Sequence, residues 1–286
     1  MSRKQMISME VTVIGPDKTG IVASVTNYIF RRNGNVEEVN QNVLKGTFYM
    51  TLRVSLPKVG FQKERFENGL MRIGKKMEMD IQIRHNQPKK LQNMAILVTK
   101  EHHVLEALLD AKKRGDIRVN VPLIIGTTKG LERIAKEHKI PFFAVEQSDR
   151  DSREEMILTI LKNHKVDFVV LARYMKILSP KVVWMYPNRI INIHPSLLPS
   201  FPGALAYMQT YERGVMIAGA TAHFVTVELD QGPIIWQESL VVKPNESLES
   251  IKRRGRVVEA KTIVKAVSLF INSKLESRWG KVSISQ

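Results

Sequence analysis

Residues 189–235 read RIINIHPSLLPSFPGALAYMQTYERGVMIAGATAHFVTVELDQGPII and combine an apolar strand, a loop rich in proline and glycine, a short helix and a return strand. Side chains alternate between the two faces of a strand. Asn192 and His194 are therefore predicted on one face, while Ile191 and Ile193 pack into the core. Asp230 follows the return strand at a turn. The three polar groups are candidates for one site.

Each of these groups also has an ordinary structural interpretation. A buried Asn192 needs hydrogen-bond partners, and His194 can be a satisfied core histidine. Asp230 is followed by Gln-Gly-Pro, and aspartate, glycine and proline all favour turns for local reasons. Taken one at a time, the residues leave both interpretations open.

The combination of all three with the intervening sequence favours a catalytic interpretation. The segments NIHPSLLPSFPGA and GATAHFVTVELDQGPI resemble the catalytic region of the formyltetrahydrofolate-using transferases and hydrolases, which include glycinamide ribonucleotide transformylase and formyltetrahydrofolate deformylase. The resemblance extends from about residue 94 to the end of the chain. It implies that Asn192, His194 and Asp230 act together at a formyl group.

A second segment with this resemblance is LARYMKILSP, residues 171–180. Its apolar side chains could simply pack the loop, but the resemblance implies that the loop holds a pterin ring, which needs apolar walls and a few backbone hydrogen bonds. His223, Thr226 and Val227 on and after the return strand are expected to border the same site. The predicted substrate-binding residues are Tyr174, Met175, Ile177, Leu178, His223, Thr226 and Val227.

The segment VTKEHHVL, residues 98–105, favours hydrolysis over transfer. Ribonucleotide transformylases have a glycine-rich turn here whose N–H groups hold the substrate phosphate, and this chain lacks it. We therefore expect hydrolysis of 10-formyltetrahydrofolate to tetrahydrofolate and formate, in one-carbon metabolism and purine biosynthesis. HPSLLPSFPGA is nearer the transferase pattern, so a formyltransferase acting on a small amine or tRNA is the alternative. A folate or amino-acid sensor without turnover is a third.

The expected chemistry follows from the residue types. Asn192 would donate a hydrogen bond to the developing oxyanion, and His194 would act as a donor or proton shuttle. Asp230 would orient His194 and the water, and would act as the base if its environment raises its pKa. No metal and no permanently bound cofactor is expected, since the folate itself is the substrate.

Residues 6–85 show a strand, helix, strand, strand, helix, strand pattern, which predicts a small split βαββαβ unit. GPDKTGIVASVTNYIFRRNGNV resembles the opening of an ACT domain, a ligand-sensing module. The resemblance implies a small amino-acid effector bound by Asp17, Gly20, Ile21 and Asn35. The alternative is that this unit only mediates oligomerisation, to a dimer or tetramer.

The predicted domains are an ACT-like regulatory domain at residues 1–87 and a formyltransferase-like catalytic domain at residues 92–286. The segment HNQPKKL, residues 85–91, lies between them and reads as a linker, because Pro88 and polar residues interrupt any periodicity. After it, strands and helices alternate, and SREE at residues 152–155 is a capping-box pattern that opens one of the helices. This alternation predicts an α/β fold with a doubly wound, mostly parallel sheet.

Composition narrows the function classes. The 286 residues are 43% hydrophobic and 25% charged, with no cysteine, which excludes disulfides and cysteine-based zinc sites. No membrane-spanning run or signal sequence is recognisable, so a cytoplasmic location is expected. The net charge of +16 suggests an anionic partner. The basic residues are scattered in small clusters without an RNA-binding signature, which favours a solvated surface over a nucleic-acid partner. A basic rim would also suit a folate, whose glutamate tail carries several carboxylates.

Overall fold

The computed structural model describes residues 6–85, 91–272, 274–278 and 281–284. The chain divides into two compact units, Met1–Lys90 and Leu91–Gln286. Most of the sequence-predicted linker, at positions 86–90, lies outside the described residues. Among the residues that are described, no helix is both long enough and apolar enough to cross a bilayer.

The first unit is an antiparallel sheet with two helices, in the predicted βαββαβ order. Its elements are β1 (Met6–Pro16), α1 (Ile21–Phe30), β2 (Asn35–Leu44), β3 (Thr47–Pro57), α2 (Lys63–Met77) and β4 (Asp80–His85). The strand order is β2-β3-β1-β4. Apolar residues recur at alternate positions of β1 and β3 and at helical spacing in α1, so one face of the sheet and the inner faces of the helices form a shared core around Val11, Leu52 and Ile29.

The second unit is the predicted doubly wound α/β sheet. Its elements are β5 (Asn93–Val98), α3 (His103–Arg114), β6 (Asn120–Gly126), α4 (Glu132–Glu137), β7 (Phe142–Ala144), α5 (Arg150–Asn163), β8 (Phe168–Ala172), α6 (Pro180–Met185), β9 (Ile190–His194), α7 (Ala206–Glu212), β10 (Ile217–Phe224), β11 (Ile234–Val241), α8 (Leu248–Ile271), β12 (Leu275–Arg278) and β13 (Lys281–Ile284). The order in the main sheet is β11-β10-β9-β8-β5-β6-β7. Strands β5 to β9 run parallel, while β10 and β11 are antiparallel to their neighbours.

The switch from parallel to antiparallel pairing positions the polar residues of the predicted site. Strands β8 and β9 are parallel neighbours, so their carboxyl ends lie at the same edge of the sheet. Strand β10 returns beside β9 with His223 opposite Asn192 and Thr221 opposite His194. The loop after β10 then carries Asp230 back over that edge. This is where ligands bind in open α/β sheets.

The start of α5 differs from the sequence-based expectation. The capping box predicted at residues 152–155 is wrong, because the helix begins three residues earlier at Arg150, with Asp149 as the N-cap. The Asp149 carboxylate accepts a hydrogen bond from Ser152 N at 2.8 Å. Aspartate caps helices at least as well as serine, so the earlier residue takes the role. The shift makes Arg153 and Glu154 the fourth and fifth residues of the helix.

Strands β10 and β11 approach so closely that Gly219 has no room for a side chain. A Cβ there would lie 2.3 Å from the backbone oxygen of Glu238 and 2.6 Å from the Leu197 side chain. We therefore expect Gly219→Ala to lower the free energy of unfolding by about 1–3 kcal/mol, as overpacking does. Urea denaturation measures this change. Gly130→Ala is the control, because its Cβ would meet only Thr128 Oγ1 at 3.6 Å; equal losses in the two variants would contradict the packing of these strands.

Candidate active site

A cavity of about 530 Å³ opens at the carboxyl ends of β8 and β9. This volume is typical of a site for a small organic ligand. Every residue that the sequence analysis assigned to the catalytic and substrate-binding sets lies on its wall. These residues are Asn192, His194, Asp230, Tyr174, Met175, Ile177, Leu178, His223, Thr226 and Val227.

Strand β9 supplies two of the polar groups. Ile191 and Ile193 are buried in the core of the second unit, so the alternate positions, Asn192 and His194, face the cavity. His194 Nε2 lies 2.8 Å from the carbonyl oxygen of Phe201. A carbonyl only accepts hydrogen bonds, so Nε2 carries the proton and donates it. In the neutral ring Nδ1 then carries no proton and is able to accept one.

Asp230 closes the site from the loop after β10. Its backbone is left-handed, with φ 56°, as the turn interpretation expects. Its side chain, however, is only 6% exposed and lies against the imidazoles: Oδ2 is 3.3 Å from His194 Nδ1, and Oδ1 is 3.6 Å from His223 Nε2. Gly203 N also donates to Oδ2 at 2.8 Å. A turn alone does not require a buried carboxylate, so Asp230 is more than a turn residue.

His223 fixes the orientation of the Asn192 amide. His223 Nδ1 lies 2.9 Å from the Phe224 carbonyl oxygen and therefore donates to it. In the neutral ring, Nε2 is then an acceptor, and the Asn192 amide nitrogen lies 3.2 Å from it. The second N–H of that amide remains able to donate to a ligand in the cavity.

The pKa of the Asp230 carboxyl moves in the opposite direction from the one that a general base needs. Burial alone would raise the pKa, but contact with His223, the hydrogen bond from Gly203 N and the charge of His194 together lower it. Burial lowers the pKa of His194 by more than the adjacent Asp230 carboxylate raises it. Near neutral pH Asp230 is therefore an ionised carboxylate and His194 a neutral imidazole. Of the two, the imidazole is the stronger base.

The β8–α6 loop (residues 173–179) forms the apolar wall of the cavity. Tyr174 and Leu178 are buried and hold the loop against the unit, whereas Met175 and Ile177 are largely exposed. Met175 N donates to Thr99 Oγ1 at 3.0 Å, which fixes the middle of the loop to the end of β5. Two flexible apolar side chains are thus displayed on a fixed backbone.

Comparison with known proteins identifies the family. Residues 92–267 match the formyl transferase family, and residues 9–84 match an ACT domain family. The chain is 33% identical to formyltetrahydrofolate deformylase of Bacillus subtilis over 266 residues, covering 91% of this chain and 88% of that protein. The corresponding Synechocystis sp. protein is 32% identical over 275 residues, covering 95% and 96%. The chain belongs to the formyltetrahydrofolate deformylase family.

Solved structures agree with this deformylase assignment and confirm the predicted fold class. A formyltetrahydrofolate deformylase from Pseudomonas syringae pv. tomato is similar with a TM-score of 0.68 and 30% identity, covering 99% of this chain and 96% of that one. A glycinamide ribonucleotide transformylase from Symbiobacterium toebii has a TM-score of 0.66 and 32% identity, but it covers only 71% of this chain and 97% of its own. The resemblance stated from the sequence is therefore confirmed.

Sequence reasoning missed a second polar cluster on the cavity wall of this deformylase-family chain. Glu259 of α8 is fully buried, accepts from Tyr207 Oη at 2.5 Å, and lies 3.3 Å from His103 Nε2 and 3.6 Å from Arg173 Nε. Burial alone would raise the pKa of Glu259, but contacts with His103, Arg173 and Tyr207 lower it. One sequence signal could have identified Glu259. It lies four residues after Gly255 on the face of α8 that is otherwise mostly apolar and buried, where a charged residue is unusual.

The predicted effector residues lie in the first unit, and the structure brings only three of them together. Asp17, Gly20 and Ile21 form the junction between β1 and α1, although the Ile21 side chain is buried. Asn35 pairs with Ser55, which pairs with Ser8. Ser8 is nine residues from Asp17 along β1 and its end, or about 30 Å at strand spacing. Within one chain, Asn35 therefore does not join the other three.

The lowered pKa of His194 predicts a pH-dependent stability. The folded chain disfavours the protonated ring, so this contribution to stability is complete above the unfolded-state pKa of about 6.5 and is lost as pH falls below it. Asp230 stays ionised in this range because its pKa is lowered. Urea denaturation between pH 7.5 and 5.5 should show a steeper loss of unfolding free energy for the wild type than for His194→Gln. Parallel curves would contradict the assigned environment of His194.

Proposed function

We propose that this protein hydrolyses 10-formyltetrahydrofolate to tetrahydrofolate and formate, and so contributes to one-carbon balance and purine biosynthesis. The observation that carries the proposal is the similarity to deformylases over nearly the whole chain, together with an Asn192, His194 and Asp230 cluster on one cavity wall. The folate is the substrate, and the proposed reaction uses no permanently bound cofactor.

The pKa directions suggest which group takes the proton from water. Neutral His194 accepts it at Nδ1 while the water oxygen bonds to the formyl carbon. The resulting imidazolium lies 3.3 Å from the Asp230 carboxylate, which stabilises it. Asp230 thus acts as an electrostatic partner and orienting group. The alternative, in which Asp230 is the base, is disfavoured because its pKa is lowered.

The second half of the reaction breaks the carbon–nitrogen bond. The free N–H of Asn192 donates to the oxygen that becomes negative when water adds. As the tetrahedral intermediate collapses, His194 returns its proton to N10 of the folate, the bond between N10 and the formyl carbon breaks, and formic acid leaves. It loses its remaining acidic proton to solvent, so one water is consumed and tetrahydrofolate, formate and one proton are released.

The cavity offers a suitable surface for each part of the folate. The pterin ring would bind against the β8–α6 loop, with His223, Thr226 and Val227 on the opposite side. Lys176, Lys252 and Arg256 also line the cavity and would attract the carboxylates of the glutamate tail. This placement gives the net positive charge of the chain a role without nucleic acid.

The alternative function is formyl transfer to a small amine or tRNA, supported by the transferase-like loop sequence and the similarity to the transformylase structure. The loop between β5 and α3 argues against a phosphorylated acceptor. It is Thr-Lys-Glu-His without glycine, and His103 at the helix start contacts Glu259. Two carboxylates, Glu101 and Glu259, line this end of the cavity and would repel a phosphate.

The first test measures release of formate and tetrahydrofolate from 10-formyltetrahydrofolate with no acceptor added. We expect equal release of both products, and kcat lowered about 10²–10⁴-fold in Asp230→Asn and His194→Gln, since both act mainly in the transition state. Asn192→Ala should lose about 10²–10³-fold, as other oxyanion donors do.

Asp110→Asn is the control, because Asp110 is an exposed acid on α3 away from the cavity. Folate binding without product release would favour formyl transfer, which assays with amine acceptors and then tRNA would test. Normal turnover in both the Asp230 and His194 variants would rule out the proposed site.

We also propose that the ACT unit binds a small amino acid and that the protein is a homo-oligomer, a dimer or tetramer. The support is the open β1–α1 junction, where Gly20 has φ 85° and no side chain caps α1, beside an ion pair between Lys18 and Glu78. Because Asn35 lies far from this junction, a shared effector site would need Asn35 from a neighbouring chain.

Calorimetric titration with single amino acids should show saturable binding that Asp17→Asn weakens about tenfold. Glu37→Gln, an exposed change on β2, should leave binding unaltered. Absence of binding for all amino acids would leave the oligomerisation role, which light scattering measures independently.

A further inference from the structure

Two charged side chains near the start of α5 are buried, although neither belongs to the catalytic or substrate-binding sets. Glu154 is 4% exposed, and Arg153 beside it is also buried. Removing a charged group from water costs several kcal/mol unless hydrogen bonds and opposite charges compensate. The hydrogen-bond partners of Glu154 and Arg153 therefore indicate what structural role these two buried charges have.

Glu154 is bound to the end of the β8–α6 loop. Its Oε1 accepts from Ser179 N at 2.8 Å and from Arg150 Nε at 3.3 Å. Ser179 is the N-cap of α6, and its own hydroxyl faces Val182 N. One carboxylate oxygen thus fixes the residue where the loop ends and the helix begins, 25 residues away in sequence.

Arg153 holds a neighbouring part of the same structure. Its Nη1 donates to the carbonyl oxygens of Gln147 and Ser148, each at 3.3 Å. Its guanidinium also lies close enough to Tyr174, in the loop itself, to oppose the rise in the pKa of that phenol. Burial raises the pKa of Tyr174, so this phenol is a neutral group packed under the loop.

The loop is therefore anchored at several points while its ligand-facing side chains stay exposed. Arg173 at its start lies near Glu259, Met175 N is bound to Thr99, and Ser179 at its end is bound to Glu154. Between these anchors, Met175 and Ile177 are exposed at the cavity. A loop ordered before binding does not lose that conformational entropy when the ligand arrives.

We infer that Glu154, assisted by Arg153, is a positioning residue that pre-forms the β8–α6 loop as the wall against which the flat ring of the substrate binds. The inference rests on the proposed function for the identity of the ligand. Glu154 does not line the cavity, so it acts through Ser179 and the loop backbone. Its loss should weaken binding of the ring while leaving the chemistry at Asn192, His194 and Asp230 unchanged.

Two conservative variants separate this role from a simple need for negative charge. Glu154→Gln keeps the length of the side chain and an oxygen that can accept from Ser179 N, but loses the charge. Glu154→Asp keeps the charge and is one methylene too short to reach Ser179. We expect KM to rise about tenfold in Glu154→Asp and less than threefold in Glu154→Gln, with kcat within about twofold of wild type in both.

Direct binding of tetrahydrofolate, measured by calorimetry, should follow the same order as KM. Glu155→Asp and Glu155→Gln are the matched controls, because the Glu155 side chain is 71% exposed and faces Lys181 at 3.7 Å. Thermal unfolding of every variant identifies any that do not fold. If Glu154→Asp does not fold, an unchanged Kd and KM in Glu154→Gln together with raised values in Arg153→Lys would still support the inference.

Three results would overturn the inference. These are wild-type KM and Kd in Glu154→Asp, a larger rise in Glu154→Gln than in Glu154→Asp, or a fall in kcat with KM unchanged. Failure of the proposed function is a separate outcome. It appears as a wild-type protein that releases no formate, and the tetrahydrofolate binding series can still be measured in that case.

Discussion

The buried Asp230 carboxylate is the group on which the geometry of the site depends. Desolvation makes a buried carboxylate unfavourable unless donors surround it. Here Gly203 N donates to the carboxylate and the two imidazole rings lie against it, and these three groups come from three different pieces of chain. The loop after β9, strand β9 itself and strand β10 are therefore held together by one charge. The same contacts lower its pKa and keep it ionised next to His194.

The cavity has a second buried carboxylate that is stabilised in the same manner. Glu259 joins Tyr207 of α7, His103 of α3 and Arg173 at the end of β8. Gly255, one turn earlier on α8, allows this arrangement, because a Cβ there would lie 2.3 Å from the Tyr207 hydroxyl. Both carboxylates line the same cavity as the apolar β8–α6 loop.

Local sequence patterns predicted the features that depend only on residues close together in the chain. Strand alternation placed Asn192 and His194 on one face, and helical spacing identified α1, α3 and α8. Association of Asp230 with them required the resemblance to a known family. The Glu259 cluster was not predicted, because its members are as far as 156 residues apart in the sequence. The direction of the Asp230 pKa shift was not predictable either, because it depends on the balance between burial and nearby hydrogen-bond donors in the folded structure. The separation of Asn35 from Asp17 follows from the register of the strands, and the order of predicted strands and helices does not determine that register.

Strands β9 and β10 are adjacent both in the sheet and along the chain, and this has a consequence for how the site arises. Asn192 and Asp230 are 38 positions apart, so a single modest loop closure brings the proposed catalytic groups together, and its entropic cost grows only with the logarithm of loop length. The proposed catalytic residues are thus encoded in one contiguous module. Such a module can be inherited intact while partner domains are gained or lost at the amino terminus, and it can form early during folding because its contacts are local compared with those of Glu259.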